Sequence, residues 1–276
     1  MIKLTIIGNG YTARFLSKEA LQKGFKVSII TRNIIKPKKN IHYFHFDDEM
    51  NLQKKIQDES LISTVPPNQD GTDPVIQKYK QAISSNNKKI IYLSATSVYG
   101  GGIVYEDTKP NPQNIRGKTR LKAETEWLTA NNKSSIFRIS GIYGPGRHPM
   151  IKYLNGNDEV IVKSGHVSNR INVEDLSAII IKYLTENYNY KYLNISDDNK
   201  IQSYDAIKYV TEKLNLNLPK AISYQSNKVS EAMKSFYEVD RVVKSKFIGN
   251  EFNYQFKNPD YKEALLKLTK KLIKFT

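Results

Sequence analysis

The sequence predicts an α/β protein, a doubly wound parallel sheet with a smaller α/β part at the C-terminal end. Three observations carry this. Short apolar runs alternate with helical patterns through the first half, a Gly8-Asn9-Gly10 turn joins the first run to the first helical pattern, and the rhythm changes after about Gly144. Parallel strands need crossover connections, which helices supply, so alternation of this kind specifies a sheet wrapped by helices.

The elements follow in order. Ile2, Leu4, Ile6 and Ile7 make the first strand, and Phe15, Leu16, Ala20 and Leu21 recur at helical spacing behind the glycine turn. Further strands are expected at Val27 to Ile30, Tyr43 to Phe46, Leu61 to Val65, Ile90 to Leu93 and Ile136 to Ile139. Helix-length segments lie at Pro74 to Ser84 and at Gly117 to Ala130, the second carrying Leu121, Glu124, Trp127 and Leu128. Beyond a loop rich in Gly, Pro and Arg, from Gly144 to Pro149, come a helix at Glu174 to Thr185, a strand at Tyr192 to Ile195 and a helix opened by Ser203. At the end, Tyr261, Ala264, Leu265, Leu268 and Leu272 share one helical face with lysines opposite, and docking on its own domain is expected for that face rather than adsorption to a membrane. The expected division is 1–150 and 151–276, with residues 173–195 returning to the first sheet.

Composition excludes several classes of function. The 276 residues include no cysteine, which removes disulfides, thiolate metal sites and a cysteine nucleophile. With 43 Lys+Arg against 27 Asp+Glu the formal charge is +16, yet the lysines are scattered among abundant Asn, Ile and Tyr rather than gathered into a stripe, so nucleic acid is not the expected partner. A negatively charged small molecule is. No stretch approaches the ~20 apolar residues that span a bilayer, and the first segment reaches glycines before a signal-peptide core forms, so a soluble cytoplasmic protein is expected. His42 and His45 sit three apart in a strand and point to opposite faces, and His148 and His166 have no neighbouring ligands, so no metal is expected.

The sharpest local signal is Gly8-Asn9-Gly10-Tyr11-Thr12-Ala13, directly after a strand and directly before a helix. Gly8 allows the tight turn, Gly10 lets the backbone approach a diphosphate, and Ala13 permits close packing of helix on strand. The helix start at Tyr11 and Thr12 offers N–H groups and a partial positive charge to phosphates, as in Rossmann-type dinucleotide sites. At the end of the second strand, where NAD sites carry an acidic residue for the adenosine ribose, the sequence reads Thr31-Arg32-Asn33, followed by Lys36, Lys38 and Lys39. Arg32 is suited to grip a 2′-phosphate and to lie against adenine, which favours NADP over NAD. Asp47 and Asp48 end the third strand, where one of them meets the adenine edge or both are simply solvated.

Four further stretches point to a family: Leu93-Ser94-Ala95-Thr96-Ser97-Val98-Tyr99-Gly100, Arg120-Leu121-Lys122-Ala123-Glu124, Phe137 through Arg147, and Arg170 through Leu176. In this order they resemble the extended short-chain dehydrogenase/reductases, the nucleotide-sugar epimerase and dehydratase group. Val65-Pro66-Pro67 and Gly71-Thr72-Asp73-Pro74-Val75 look like an atypical bacterial subgroup. The resemblance implies a hydride passed between a sugar-like carbon and a nicotinamide, with cofactor contacts at Val65, Pro66, Ser94 and Ile142. It also implies a catalytic Tyr, a Lys four residues later and a nearby Ser or Thr, because a phenol with pKa near 10 needs a neighbouring cation before it exchanges protons at neutral pH. Family members often pair through helices, so a monomer or homodimer is expected, with Pro74 to Ser84 and Gly117 to Ala130 as candidate surfaces.

Here the chain departs from the pattern. Alignment puts Arg116 at the tyrosine, Arg120 at the lysine and Ala95 at the hydroxyl position. Arg120 still suits ribose hydroxyls, but Arg116 stays protonated and cannot shuttle a proton. Thr96, Tyr99, Tyr105, Glu106 and Tyr143, on loops at strand carboxyl ends, are the substitutes. Arg147 and Arg170 are candidates for a substrate phosphate or carboxylate, and equally for pairing with Glu174 or Asp175. Two functions remain open: an NADP(H)-dependent oxidoreductase or epimerase, and an NADP(H)-binding sensor.

Overall fold

The computed structural model describes residues 1–33, 37–167, 169–197, 199–237 and 239–274; Lys36 lies outside them. In chain order the elements are β1 (Lys3–Ile7), α1 (Tyr11–Gln22), β2 (Lys26–Thr31), β3 (Ile41–His45), α2 (Glu49–Asp58), β4 (Ser60–Ser63), α3 (Pro74–Ser84), β5 (Ile90–Ala95), a 3₁₀ turn at Thr96–Val98, β6 (Gly102–Val104), α4 (Ile115–Ala130) and β7 (Ser135–Ile139). They continue with β8 (Gly141–Tyr143), α5 (Pro149–Leu154), β9 (Glu159–Val162), β10 (Arg170–Asn172), α6 (Val173–Thr185), β11 (Tyr192–Ile195), α7 (Ser203–Lys213), β12 (Lys220–Ser223), α8 (Glu231–Tyr237), β13 (Arg241–Val243) and α9 (Tyr261–Ile273).

The chain divides into two compact units that alternate along the sequence. The first comprises Met1–Tyr99, Lys109–Ile139 and Leu176–Asn194; the second comprises Gly100–Thr108, Ser140–Asp175 and Ile195–Thr276.

In the first unit, seven strands form one sheet in the order β11-β7-β5-β4-β1-β2-β3. Leu4, Ile6 and Ile7 of β1 and Val27, Ile29 and Ile30 of β2 are all buried, with no alternation of exposure. Both faces of such a sheet are covered by helices, which is why these strands read as continuous apolar runs. Ala13, Leu16, Ser17 and Ala20 give α1 its buried face, and the small Ala13 lets the helix sit close to the sheet. On α3, Asp73 is the N-cap: its Oδ1 accepts from the N–H groups of Val75 and Ile76, and Oδ2 accepts from Trp127 Nε1 at 2.9 Å. That indole stacks on Tyr92 with ring centroids 5.4 Å apart, tying α4 to β5.

From β1 the chain runs outward through β2 and β3, then returns to lay β4 on the other side of β1. The order reverses between β1 and β4, and the carboxyl ends of these two strands flank the crevice where sheets of this class take ligands.

In the second unit, strands pair two by two: β8 with β10, β9 with β12, and β6 with β13, all parallel. Its core gathers Tyr143, Met150, Val160, Ile207, Val210, Tyr261 and Leu265. The apolar face of α9 is therefore docked, and Asp260 caps the helix. No helix among the described residues is long and apolar enough to cross a membrane.

Three differences from the sequence expectation have physical causes. Helix α2 was not anticipated, because Leu52 and Ile56 alone carry its buried face. Strand β4 stops at Ser63 rather than Val65, because the Thr64 N–H and hydroxyl both donate to the Ile7 carbonyl, at 2.9 and 3.0 Å, and turn the chain. The strands of the second unit hold three or four residues each, too few to show a period.

Candidate active site

The turn after β1 is built as the sequence predicts. Gly8 has φ +100, which L residues rarely adopt, and a Cβ there would overlap Thr64 Oγ1. Its N–H donates to the Ile30 carbonyl at 2.9 Å, locking β1 to β2 at the mouth of the crevice. Gly10 differs: φ is −78, and a Cβ there would meet nothing within 4 Å. It precedes α1 as N-cap with no side chain capping the helix and no acidic residue in its first turn. An uncapped helix start facing open space is a site for an anionic group that brings its own oxygens. A dinucleotide diphosphate fits these residues.

At the end of β2, Arg32 is exposed, and its carbonyl oxygen lies 3.1 Å from His45 Nε2. Asp47 is held by Lys78 at 2.6 Å and lies 3.6 Å from His45; the Lys78 hydrogen bond draws its pKa below the usual carboxylate value. Asp48 accepts from Asn51. Asp47 is thus already neutralised by a cation. Val65 packs on the core while Pro66 is exposed beyond it.

After β5 the structure departs from what the resemblance implies. Ser94, expected at the cofactor, is buried and donates to Glu124 at 2.6 Å. Glu124 in turn takes three hydrogen bonds from Arg138, at 2.7, 3.1 and 3.2 Å, both side chains being 2% exposed. Arg138 donates to the Tyr99 hydroxyl at 2.9 Å, and Tyr99 donates to Asn194 at 2.8 Å. Tyr99 is therefore a buried link in a satisfied network, a structural place rather than that of a proton shuttle. Thr96 opens the 3₁₀ turn and is half-buried, and Ala95 precedes it. Gly117 on α4 is required because a Cβ there would overlap the Ser97 carbonyl, so the first turn of α4 lies directly on this segment.

Arg120, on α4, donates through Nη1 to the Leu93 carbonyl at 2.9 Å and the Tyr92 hydroxyl at 3.2 Å. Tyr92 itself is fully buried, and burial pushes its phenol well above the ordinary value. Arg116, at the position of the family's tyrosine, is exposed.

The remaining candidates belong to the second unit. Ile142 lies on β8 opposite Ile171 of β10. Tyr143 is buried in that unit's core against Tyr261, and burial raises its phenol far above the ordinary value, which speaks against proton exchange near neutral pH. Tyr105 N–H donates to Thr108, and Glu106 accepts from Ser245 and Lys246. Arg147 is exposed. Arg170 is not: at 7% exposure its guanidinium donates to the Ile201 carbonyl and Ser203 at 2.7 and 2.9 Å and covers the Tyr261 ring. Asp175 accepts from Tyr254, Lys257 and Asn258. Among the described residues there is no group of His, Asp and Glu able to hold a metal.

Sequence reasoning missed Thr64, Lys78 and Tyr92. Thr64 was detectable as a hydroxyl at the carboxyl end of the strand beside β1; the other two depend on tertiary packing alone.

A parallel sheet with this strand order and this turn after its first strand is a doubly wound, Rossmann-type α/β fold. The RmlD substrate binding domain family matches residues 76–273, and the chain belongs to that family. It is 31% identical to protein YeeZ of Escherichia coli K12 over 112 residues, 37% of this chain and 40% of that protein, so the match spans well under half of the curated relative. A conserved protein of unknown function from Silicibacter pomeroyi superposes with TM-score 0.87 at 29% identity over 98% of this chain and 99% of that one. The UDP-glucuronic acid 4-epimerase of Bacillus cereus, solved in complex with NAD, superposes with TM-score 0.74 at 18% identity over 98% and 99%, a likeness of fold.

Proposed function

We propose that this chain binds NADP(H) on the turn from Gly8 to Thr12 and acts by hydride transfer on a polar anionic, nucleotide-sugar-like substrate. The observation that carries the reading is the open space at Gly10 beneath an uncapped helix start, beside a Gly8 that admits no side chain. The coenzyme, when bound, supplies a carbon that accepts or donates hydride.

This chain's own residues do the rest. Backbone N–H groups at the start of α1 meet the diphosphate. Arg32 reads the 2′-phosphate, the nearby Asp47 being held by Lys78. Arg120, fixed through Nη1, directs its remaining N–H groups to ribose hydroxyls. Thr96, on the loop after β5, is the hydroxyl assigned to pass a proton, and Arg147 meets the substrate's negative charge.

A second reading, an NADP(H) sensor without chemistry, is favoured by Arg116 at the tyrosine position and by the burial of Tyr99 and Tyr143. Incubation with NADP⁺ and a panel of nucleotide sugars, read by absorbance near 340 nm and by chromatography, separates the two. Turnover of any sugar supports the enzyme; ligand binding without turnover supports the sensor. Arg32→Asp is expected to lose the preference for NADPH over NADH by at least about tenfold, and an unchanged preference refutes that assignment.

A further inference from the structure

The side chain of His45, at the end of β3, joins the turns that follow β2 and β3. The two strands pair in register as far as Thr31 opposite His45, and the Phe46 N–H donates to the Thr31 carbonyl at 3.0 Å. Beyond Thr31 the chain bends, the Asn33 N–H donating to the Thr31 hydroxyl at 3.3 Å. Arg32 thus stands just past the strand ladder, and a side chain holds its carbonyl: His45 Nε2 lies 3.1 Å from that oxygen. A carbonyl only accepts, so Nε2 carries the proton and Nδ1 is the acceptor. The Asp47 N–H donates to Nδ1 at 3.3 Å, so both bonds agree on one tautomer.

Asp47 is fixed in its turn. Lys78 of α3 holds its carboxylate at 2.6 Å, and the same ammonium lies 3.2 Å from Glu49 and 5.6 Å from the centroid of the Phe46 ring. A brace therefore runs from α3 through Asp47 and His45 to the Arg32 backbone, all of it within the first unit. A guanidinium on a long side chain loses conformational freedom when it grips one phosphate, and a backbone already held in place lowers that cost.

We propose that His45 is a positioning residue for coenzyme choice: by holding the Arg32 carbonyl it sets Arg32 for the 2′-phosphate that distinguishes NADPH from NADH. This rests on the reading of Arg32 as the residue that meets that phosphate. His45 touches no coenzyme atom in this role and acts through Arg32.

Two substitutions divide the imidazole between them. The amide nitrogen of His45→Gln stands where Nε2 does and still donates to the Arg32 carbonyl; the amide oxygen of His45→Asn stands where Nδ1 does and accepts from the Asp47 N–H without reaching Arg32. The side chain is 44% exposed, so both variants are expected to fold. The full chain, these variants and Arg32→Asp are titrated with NADPH and NADH by fluorescence and with adenosine 2′,5′-bisphosphate by calorimetry. His45→Asn is expected to weaken NADPH and the bisphosphate about threefold to tenfold and to leave NADH within about twofold, while His45→Gln keeps the parent's values. If His45→Asn keeps the parent's preference for NADPH while Arg32→Asp loses it, the proposal is overturned and the coenzyme reading stands. If both His45 variants lose NADPH affinity, or NADH weakens as much as NADPH, His45 is merely structural and the proposal is likewise overturned. A parent that binds none of the three ligands refutes the coenzyme reading itself, and this proposal with it.

Discussion

Alanine at Gly8 and alanine at Gly10 separate a turn that binds from a turn that merely folds. At Gly8 the new methyl meets Thr64 Oγ1 in a backbone with φ +100. Holding an L residue in so sparse a region costs about 1–3 kcal/mol, and displacing Thr64 from its hydrogen bond to the Ile7 carbonyl costs about 0.5–1.5 kcal/mol more. A loss of about 2–4 kcal/mol lowers the melting temperature of a chain this size by roughly 4–12 °C. At Gly10 the backbone is ordinary and the space open, so alanine shifts stability by no more than about 1 kcal/mol. Its methyl nevertheless occupies the volume assigned to the diphosphate, and NADPH affinity is expected to fall at least about tenfold. Thermal melts without ligand, followed by fluorescence titration with NADPH, read both quantities. A Gly10→Ala protein that melts normally and binds NADPH like its parent would refute the reasoning.

Two other perturbations follow from buried groups. Glu124→Gln leaves Arg138 buried beside a neutral partner, and a destabilisation of about 3–5 kcal/mol is expected in chemical denaturation; a loss under about 1 kcal/mol would show that the Glu124–Arg138 pair does not hold the Ser94–Glu124–Arg138–Tyr99 network together. Burial lowers the pKa of His148 from its ordinary value, so below about pH 6.5 the unfolded chain takes up a proton there that the folded chain resists. Stability from this group is therefore full above pH 6.5 and is lost as pH falls from there toward the lower folded value. Between pH 7.5 and 5.5 the parent is expected to lose more melting temperature than His148→Gln, and equal losses would contradict the assignment.

Much of the first unit was legible because its signals are local. Strands β1 and β2 are buried on both faces and so read as unbroken apolar runs, and α3 announces itself through Asp73 and Pro74 at its start. Gly8 and Gly10 are likewise local, since a glycine between strand and helix is read from its neighbours. The placements of Ser94 and Arg170 were not legible. Ser94 turns to a carboxylate thirty residues on, and Arg170 to a carbonyl and a hydroxyl more than thirty residues on, partners that only tertiary structure supplies. The paired short strands of the second unit escaped for a related reason: Gly141–Tyr143 and Arg170–Asn172 hold together by pairing with each other rather than by any pattern within themselves.

Crystals soaked with NADPH test the central assignment most directly. The diphosphate is expected against the backbone N–H groups that follow Gly10, with the 2′-phosphate at Arg32. A turn that stays empty at saturating coenzyme, or density for NADPH seated elsewhere on the chain, would contradict it.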